Sequence, residues 1–337
     1  MNFSSERLQQ LRQALVETAF SSYNLQSRMH RLHTLDTSKV HVYIKRDDEL
    51  SCAISGSKIR KYATLIPYLT SNKVQQVAVI GGAFSNNIVG ISQLLLENRI
   101  QPTLFLRKPG NNKVHGNLFL TKLLVDEKNI HWIDRQDWPH VEERALAYVQ
   151  QKNQEGILSQ LIPEGAFLFS AFLGALSLSW DIIRNEQSEN ITFDHIFVDA
   201  GTGLQAIALI LAHSWSFHQA KIHCVLLAVN QQEFEQKLEA LSQEFSKFMG
   251  EEVLPPTNYE VHIPKVAASF GSVSKKTLKF IANFAREEGV LLDPVYSGKL
   301  IYESQKIISE NCIRGNVLLI HSGGTMSLLG FNELFKI

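Results

Sequence analysis

Cysteine is scarce in this sequence, with three residues among 337. Cys52, Cys224 and Cys312 have no CxxC spacing, and an odd number of cysteines cannot pair completely. Neither a disulfide framework nor a cysteine-based zinc site is therefore indicated. Because Cys224 lies in an apolar run, we expect it to be a small buried side chain.

The sequence also lacks an excess of charge, since Lys and Arg total 33 and Asp and Glu total 33. Nucleic acids and anionic membranes attract clustered cationic charge, so neither is an expected partner. No apolar run approaches the roughly 18 residues of a membrane span. The first residues do not show the basic-then-apolar order of a secretory signal. We therefore expect a cytoplasmic protein that acts on small molecules.

Several catalytic and nucleotide-binding motifs are missing. The sequence has no GxSxG or HExxH, and its 12 histidines show no metal-ligand spacing. Ser/His/Asp hydrolysis is therefore disfavoured, and no metal site is expected. The glycine-rich turn at 201–203 matches neither GxGxxG nor GxxxxGK[ST], so a dinucleotide or nucleoside triphosphate site is poorly supported.

Hydrophobic residues make up 45% of the sequence, enough for a large core, and the length fits about two domains. Short runs rich in Val and Ile, at 77–80, 196–198 and 317–320, are each followed by a glycine-containing turn. Such runs are typical of strands buried in a parallel sheet, which predicts an α/β fold. Ligands bind such sheets at the carboxyl ends of the strands, so these turns are expected to converge. A further strand is predicted at 103–106, and helices are predicted near 57–69, 87–98, 114–124, 139–151, 169–184, 205–212, 231–249, 275–288 and 298–311.

Lys58 follows Gly56 and Ser57 at the predicted start of a helix. A cation in the first turn opposes the helix dipole at a cost of about 0.3–1 kcal/mol. This placement is poor for stability but suits a lysine whose neutral amine must form an imine. A solvated lysine beside Arg60 and Lys61 is the alternative, and spacing alone favours it.

The turn at 81–87 ends in Ser85, Asn86 and Asn87 before another predicted helix. Backbone N–H groups and polar side chains at a helix start favour an anion such as a substrate carboxylate. An ordinary helix cap explains the same residues equally well.

Five motifs follow one another along the chain: the lysine at a Gly/Ser helix start, the GG…SNN turn, the Gly-rich turn, DPVYSGK at 293–299 and IHSGG at 320–324. In this order they resemble the motifs of the pyridoxal-phosphate enzymes of fold type II, in the D-cysteine desulfhydrase and 1-aminocyclopropane-1-carboxylate (ACC) deaminase family. The resemblance implies a tryptophan synthase beta-like fold of two open-sheet α/β lobes. A small domain at 58–160 would be inserted in a large cofactor-binding domain formed by 1–57 and 161–337. Family members are commonly homodimers.

The resemblance implies roles for residues in the first half of the chain. Lys58 would bind pyridoxal 5'-phosphate covalently and transfer protons. Ser85, Asn86 and Asn87 would hold the substrate carboxylate and the ring oxygen of the cofactor.

In the second half, the resemblance implies that Gly201, Thr202 and Gly203 hold the phosphate. Tyr296 would stack on the pyridine ring, and Ser297 would meet the ring nitrogen. A serine hydroxyl cannot impose a full positive charge on that nitrogen, whereas the deaminase branch has a glutamate at this position. Ser297 therefore resembles the desulfhydrase side, which eliminates sulfide from a small amino acid and yields pyruvate and ammonia.

The sequence departs from the family pattern at four places. Leu204 and Gln205 replace a glycine and a hydroxyl of the phosphate turn, and Phe270 replaces an active-site tyrosine. The segment 163–169 is apolar where small polar residues are expected, and Ser57 replaces an asparagine. ACC deaminase-like, racemase or dehydratase activity therefore remains open, as does a catalytically weakened paralogue that only binds ligand. For His321, at the end of the last predicted strand, a buried supporting role is favoured.

Overall fold

The structure is a computed structural model that describes residues 2–18, 20–51, 56–110, 114–253, 256–266 and 271–335. Helices and strands alternate along most of this part of the chain, which confirms the α/β class. The strands are β1 (Met29–Arg31), β2 (Val40–Lys45), β3 (Gln76–Gly82), β4 (Gln101–Arg107), β5 (Ile130–Ile133), β6 (Ser159–Ile162), β7 (His195–Ala200), β8 (Lys221–Leu226), β9 (Tyr259–His262) and β10 (Gly315–Ile320). The helices are α1 (Asn2–Glu17), α2 (Lys58–Ser71), α3 (Asn86–Glu97), α4 (Gly116–Leu124), α5 (Val141–Gln154), α6 (Phe169–Ala175), α7 (Ser177–Glu189), α8 (Leu204–Trp215), α9 (Gln231–Met249), α10 (Lys275–Glu288) and α11 (Ser297–Glu310).

The strands form two open sheets. One has the order β5-β4-β3-β6 and is parallel throughout. The other has the order β1-β2-β10-β7-β8-β9 and is parallel except for β1, which pairs antiparallel with β2. Parallel pairing aligns the carboxyl ends of the strands, so the polar turns after β3, β7 and β10 leave their sheets at the edges where ligands bind.

The predicted helices are present, and α9 and α10 have the predicted bounds. The single helix predicted at 169–184 is wrong, because the structure has α6 and α7 with Leu176 between them. Leu176 still donates its N–H to the carbonyl of Phe172, so the chain remains helical where the two helices meet. The sequence analysis had not identified α1 or the strands β1, β2, β5, β6, β8 and β9.

The two sheets share a hydrophobic core. Val79 of β3 and Val198 of β7 belong to the same buried cluster, which also contains Tyr62 of α2 and Phe172 of α6. Helices α2 and α6 pack closely at Gly174. A side chain at this position would collide with the backbone carbonyl of Arg60, so the contact requires glycine. This packing fixes the helix that begins with Lys58.

A buried ion network also holds α2. Arg60 donates from Nε to Asp47 at 2.7 Å and from Nη2 to Asp181 at 2.8 Å. Lys45 donates to the same oxygen of Asp181 at 2.6 Å, and all four side chains are at most 2% exposed. Removing one member of such a network costs about 3–5 kcal/mol, because a buried charge is left without a partner.

Cys224 is completely buried in β8, as expected. Among the described residues, no helix is both long enough and apolar enough to cross a membrane.

Candidate functional site

The polar turns after β3, β7 and β10 meet in one cleft. A side chain at Gly324, in the turn after β10, would begin 2.9 Å from Nδ2 of Asn86 and 3.2 Å from Cγ of Asp293. A side chain at Gly201, in the turn after β7, would begin 3.2 Å from the ring of Tyr296. These glycines therefore allow the segments to approach, and the expected convergence of the turns is observed.

Lys58 is the first residue of α2, as the sequence predicts. The preceding Ser57 makes no side-chain cap, but its N–H donates to the carbonyl of Ser322 at 2.9 Å. Lys58 Nζ lies 5.7 Å from the centroid of the Tyr296 ring. Burial lowers the pKa of Lys58, while the carboxylates of Asp199 and Asp293 raise it in part. The site therefore favours a neutral amine at a lower pH than a solvated lysine would need.

Asp293 is a carboxylate that the sequence reasoning did not assign to the site. It is completely buried at the start of the DPVYSGK segment. Its Oδ2 accepts the N–H groups of Val295 and Tyr296, and its Oδ1 accepts the N–H and O–H of Ser297. Asp293 thereby fixes the backbone that presents the Tyr296 ring.

Asp199 is a second carboxylate that was not assigned. It lies near the end of β7, and burial raises its pKa, although a hydrogen bond to Ser322 and the charge of Lys58 lower it in part. Oδ1 of Asp199 is buried and has no hydrogen-bond partner within the described residues. An acidic residue two positions before Gly201 of the predicted Gly-rich turn was the available sequence signal.

Ser297 is completely buried at the start of α11. Its hydroxyl donates to Asp293 Oδ1 at 2.8 Å and accepts the N–H of Asp293 at 2.9 Å. A contact between this hydroxyl proton and a ring nitrogen would therefore require Ser297 to exchange its partner.

The three polar residues at the start of α3 differ in their contacts. Ser85 Oγ caps the helix by accepting the N–H of Asn87 at 3.1 Å. Asn86 Oδ1 accepts from Asn117 at 2.6 Å, and Asn87 Oδ1 accepts from the Tyr62 hydroxyl at 2.8 Å. Nδ2 of Asn87 is buried without a partner within the described residues. This donor is available to a ligand.

The turn from Gly201 to Gly203 leads into α8. Gly203 has a φ of 98° and provides no side-chain cap, so the first N–H groups of the helix can bind an anion. Oε1 of Gln205 is buried near this end without a partner in the described part of the chain. The departure at Gln205 therefore adds a buried acceptor where the family has a hydroxyl.

Lys61 lies one helical turn after Lys58 and was treated only as a solvated neighbour in the sequence reasoning. Its Nζ donates to the carbonyl of Gly165 at 3.3 Å, and Gly165 packs directly against the side chain of Thr202. Burial lowers the pKa of Lys61 to about 7, with a further contribution from the charge of Lys58. The (i, i+3) spacing from Lys58 was the sequence signal for this second lysine.

His321 is completely buried, and its ring nitrogens contact the Leu291 carbonyl and the Gly323 N–H. These contacts agree with the supporting role expected for it. Phe270 lies outside the described residues, so the structure does not address that departure.

No family model matches the sequence. An ACC deaminase from Cyberlindnera saturnus is 25% identical, over 92% of this chain and 93% of that protein. The D-cysteine desulfhydrase of Yersinia enterocolitica is 24% identical, over 86% of this chain and 88% of that protein. A mitochondrial Arabidopsis thaliana protein, named bifunctional D-cysteine desulfhydrase/ACC deaminase, is 26% identical over 92% of this chain and 79% of its own length.

Solved structures show the same fold. The crystal structure of an ACC deaminase homologue superposes with a TM-score of 0.86 at 22% identity, covering 96% of this chain and 98% of that one. Threonine deaminase isoform 2 from Solanum lycopersicum gives a TM-score of 0.65 at 14% identity, over 98% and 88% of the two chains. The resemblance drawn from the motifs is thus confirmed: over most of its length the chain is similar to proteins named D-cysteine desulfhydrase and ACC deaminase, and it has the fold of the ACC deaminase homologue.

Proposed function

We propose that this protein is a pyridoxal-phosphate-dependent lyase or deaminase that acts on a small amino acid. The observation that carries the proposal is the position of Lys58, whose amine lies 5.7 Å from the Tyr296 ring in a cleft where burial lowers its pKa. The names of the relatives support the same reaction class. Among the family's activities, the proposal is most like that of D-cysteine desulfhydrase, which yields pyruvate, sulfide and ammonia.

The residues present fit the cofactor. Lys58 offers the amine for covalent attachment, and Tyr296 offers a ring face. Asn87 has a buried donor without a partner among the described residues, suited to the ring oxygen. The uncapped start of α8 after Gly203 offers N–H groups to the phosphate. We place Lys61 beside them as a cation for the same phosphate, because its ammonium is buried next to that turn.

When bound, pyridoxal phosphate supplies the electron sink for bond breaking at the substrate. Lys58 then supplies the base, because its partly desolvated amine holds or releases a proton within the cleft. Asp199 raises the proton affinity of that amine. Ser85, which caps α3, and the N-terminus of that helix would orient the substrate carboxylate.

The lack of a carboxylate at position 297 supports elimination over deamination of the ACC type. Ser297 is a neutral hydroxyl already bound to Asp293, so it cannot hold a full positive charge on the ring nitrogen as the deaminase glutamate would. A milder electron sink suits loss of a good leaving group at the β-carbon. ACC deaminase-like activity remains the second candidate because relatives carry that name.

Covalent labelling tests the cofactor assignment. Protein incubated with pyridoxal phosphate should absorb near 410–430 nm, about where such imines absorb, and borohydride should fix the label on Lys58. The Lys58→Ala variant should show neither band nor label, whereas Lys61→Met should keep the label on Lys58. If mass spectrometry finds no label on Lys58 in the unmodified chain, the enzyme proposal is wrong.

A panel of D- and L-amino acids and ACC then separates the activities. Sulfide with pyruvate from cysteine supports the desulfhydrase, whereas a 2-oxo acid and ammonia from ACC without sulfide supports the deaminase. Formation of the opposite enantiomer of the amino acid identifies a racemase. Ammonia with a 2-oxo acid from serine or threonine identifies a dehydratase. Labelled protein without any product would point to a paralogue that only binds ligand.

Three further expectations stay predictions: the lobe boundaries at 58–160, the cytoplasmic location and the homodimer. Light scattering during size-exclusion chromatography measures the assembly directly.

A further inference from the structure

Three histidines form a hydrogen-bonded row across three neighbouring strands. His195 Nδ1 lies 3.0 Å from His223 Nε2, and His223 Nδ1 lies 2.9 Å from His262 Nε2. The residues come from β7, β8 and β9 respectively. His195 is the first residue of β7, at the opposite end of that strand from the turn at Gly201. The row is therefore separate from the cleft that contains Lys58.

Strand register places a carboxylate beside this row. His223 of β8 pairs with Glu260 of β9, and Val225 pairs with His262. Because residues two apart in a strand share a face, Glu260 and His262 flank His223 on one side of the sheet. Oε2 of Glu260 lies 4.0 Å from Nδ1 of His223. Ligand atoms from His223, Glu260 and His262 all lie within 4.8 Å of one another.

The surroundings hold the central imidazole and leave the outer ligands accessible. His223 is 1% exposed and stacks on Phe197 with ring centroids 4.3 Å apart. Glu260 and His262 are partly exposed on β9, the edge strand of the six-stranded sheet. An ion could therefore reach the group from solvent while its innermost ligand stays fixed.

We propose that His223 Nδ1, His262 Nε2 and the Glu260 carboxylate bind a divalent transition-metal ion. Two imidazole nitrogens and a carboxylate are a ligand set suited to Zn²⁺. Imidazole nitrogen and carboxylate oxygen are ligands that Zn²⁺ accepts, and water completes such a site. Zn–N bonds of about 2.05 Å at a tetrahedral angle place two nitrogens about 3.3 Å apart. The two nitrogens need to separate by only a few tenths of an ångström from their present 2.9 Å.

The protons of the row are compatible with binding. A neutral His223 can donate from Nε2 to His195 Nδ1, which leaves its Nδ1 free for the metal. His262 needs only to move its proton from Nε2 to Nδ1, so no net proton is lost. His195 then orients the ligand His223, as hydrogen-bond partners of metal-bound histidines commonly do.

Lys221 is the group that opposes binding. Its ammonium lies 2.6 Å from Oε2 of Glu260, and both side chains are well exposed. A metal ion at the site would share the carboxylate with this cation. Removing the charge of Lys221 should therefore tighten binding, whereas removing a ligand should weaken it.

Binding would join β8 to β9 at the edge of the sheet. An ion held only by the folded protein stabilises it in proportion to the logarithm of free ion over the dissociation constant. The expected role is structural, and it does not depend on the proposed reaction.

Zinc titration of untagged, full-length protein tests the site. All proteins carry Cys312→Ser, because that exposed thiol could bind zinc itself, and all are treated with EDTA and dialysed. Calorimetry should show one Zn²⁺ per chain with a micromolar or tighter dissociation constant, and added Zn²⁺ should raise the melting temperature. His262→Ala should weaken binding by about tenfold or more, Glu260→Gln should weaken it less, and Lys221→Gln should tighten it.

The matched control is His140→Ala, which removes an exposed histidine directly before α5, away from the row, and should leave binding unchanged. His262→Ala changes a partly exposed residue, and circular dichroism checks that it folds. The proposal is overturned if the unmodified site binds no Zn²⁺ saturably. It is equally overturned if folded His262→Ala binds as tightly as the parent protein.

Discussion

The amine of Lys58 lies over the ring of Tyr296, 5.7 Å from its centroid, although the two residues come from opposite ends of the chain. Lys58 begins α2 and Tyr296 precedes α11. Their positions are set by the packing of α2 on α6 through Gly174 and by the hydrogen bonds of Asp293. The proposed function would place the flat ring of the cofactor on the face of Tyr296, beside this amine.

The ring of Tyr296, rather than its charge, should matter for cofactor binding. Burial and the nearby Asp293 raise the pKa of its phenol, so it stays neutral across the working range. Tyr296→Phe keeps the ring and should change the affinity for pyridoxal phosphate by less than about fivefold. Tyr296→Ala should weaken it by about tenfold or more, since aromatic stacking adds about 0.5–1.5 kcal/mol beyond area burial. An absorbance titration measures both, and equal losses would contradict a stacking role.

Asp199 should set the pH at which Lys58 reacts. Its carboxylate raises the pKa of Lys58 against the lowering effect of burial. Asp199→Asn removes that charge, so the amine becomes neutral at lower pH and the profile of covalent attachment shifts to the acid side. Stopped-flow absorbance against pH measures the shift.

Asp134→Asn serves as the control for this pH experiment, because Asp134 is an exposed residue that forms an ion pair with Lys108. That variant should keep the parent profile. A shift of the Asp199→Asn profile to higher pH would contradict the assigned sign.

Lys61 should destabilise the cofactor-free protein and stabilise the phosphate complex. Its pKa is about 7 in the folded protein and 10.5 as an ordinary lysine, so between these values the unfolded chain binds more protons. The cost of burying its charge is therefore full below about pH 7 and fades as pH rises toward 10.5. Lys61→Met should flatten this pH dependence and raise the melting temperature near pH 7.

The same Lys61→Met variant should bind pyridoxal phosphate more weakly, by about tenfold to a hundredfold, because a charge-assisted contact of about 1.5–3 kcal/mol is lost. Calorimetry in buffers of different ionisation enthalpy should show proton uptake on binding near pH 8 in the parent and less in the variant. Unchanged affinity and proton uptake would remove Lys61 from the phosphate site.

Gly174 should be intolerant of a side chain. Gly174→Ala places a carbon against the carbonyl of Arg60 and near Thr64 Oγ1, so α2 and α6 must separate. Overpacking of this kind costs about 1–3 kcal/mol, and displacement of Lys58 should lower kcat as well. Gly110→Ala is the control, because a side chain there would meet no atom of the described residues within 4 Å. Thermal melts and steady-state rates test both, and an unaffected Gly174→Ala would show that this contact does not position α2.

Local patterns in the sequence were sufficient for the class of fold and for most helices. Apolar periodicity and capping residues are local signals, so α9 and α10 were predicted to their end residues. The motifs also identified Lys58 and Tyr296 as partners. The edge strands β1, β5, β6 and β9 were missed because four residues or fewer carry too little periodicity. The six-residue strands β2 and β8 were also not predicted.

By itself, then, the sequence determined the α/β alternation, the glycine-rich turns at the strand ends and the order of motifs that resembles the D-cysteine desulfhydrase and ACC deaminase family. Only the tertiary structure decided which charges surround Lys58, because Asp199 and Asp293 are far from it along the chain. It also decided that His195, His223 and His262 stand in one row. That row depends on the order and register of three parallel strands. Such pairing brings together residues that are far apart in sequence, and no periodic sequence pattern indicates which of them will meet.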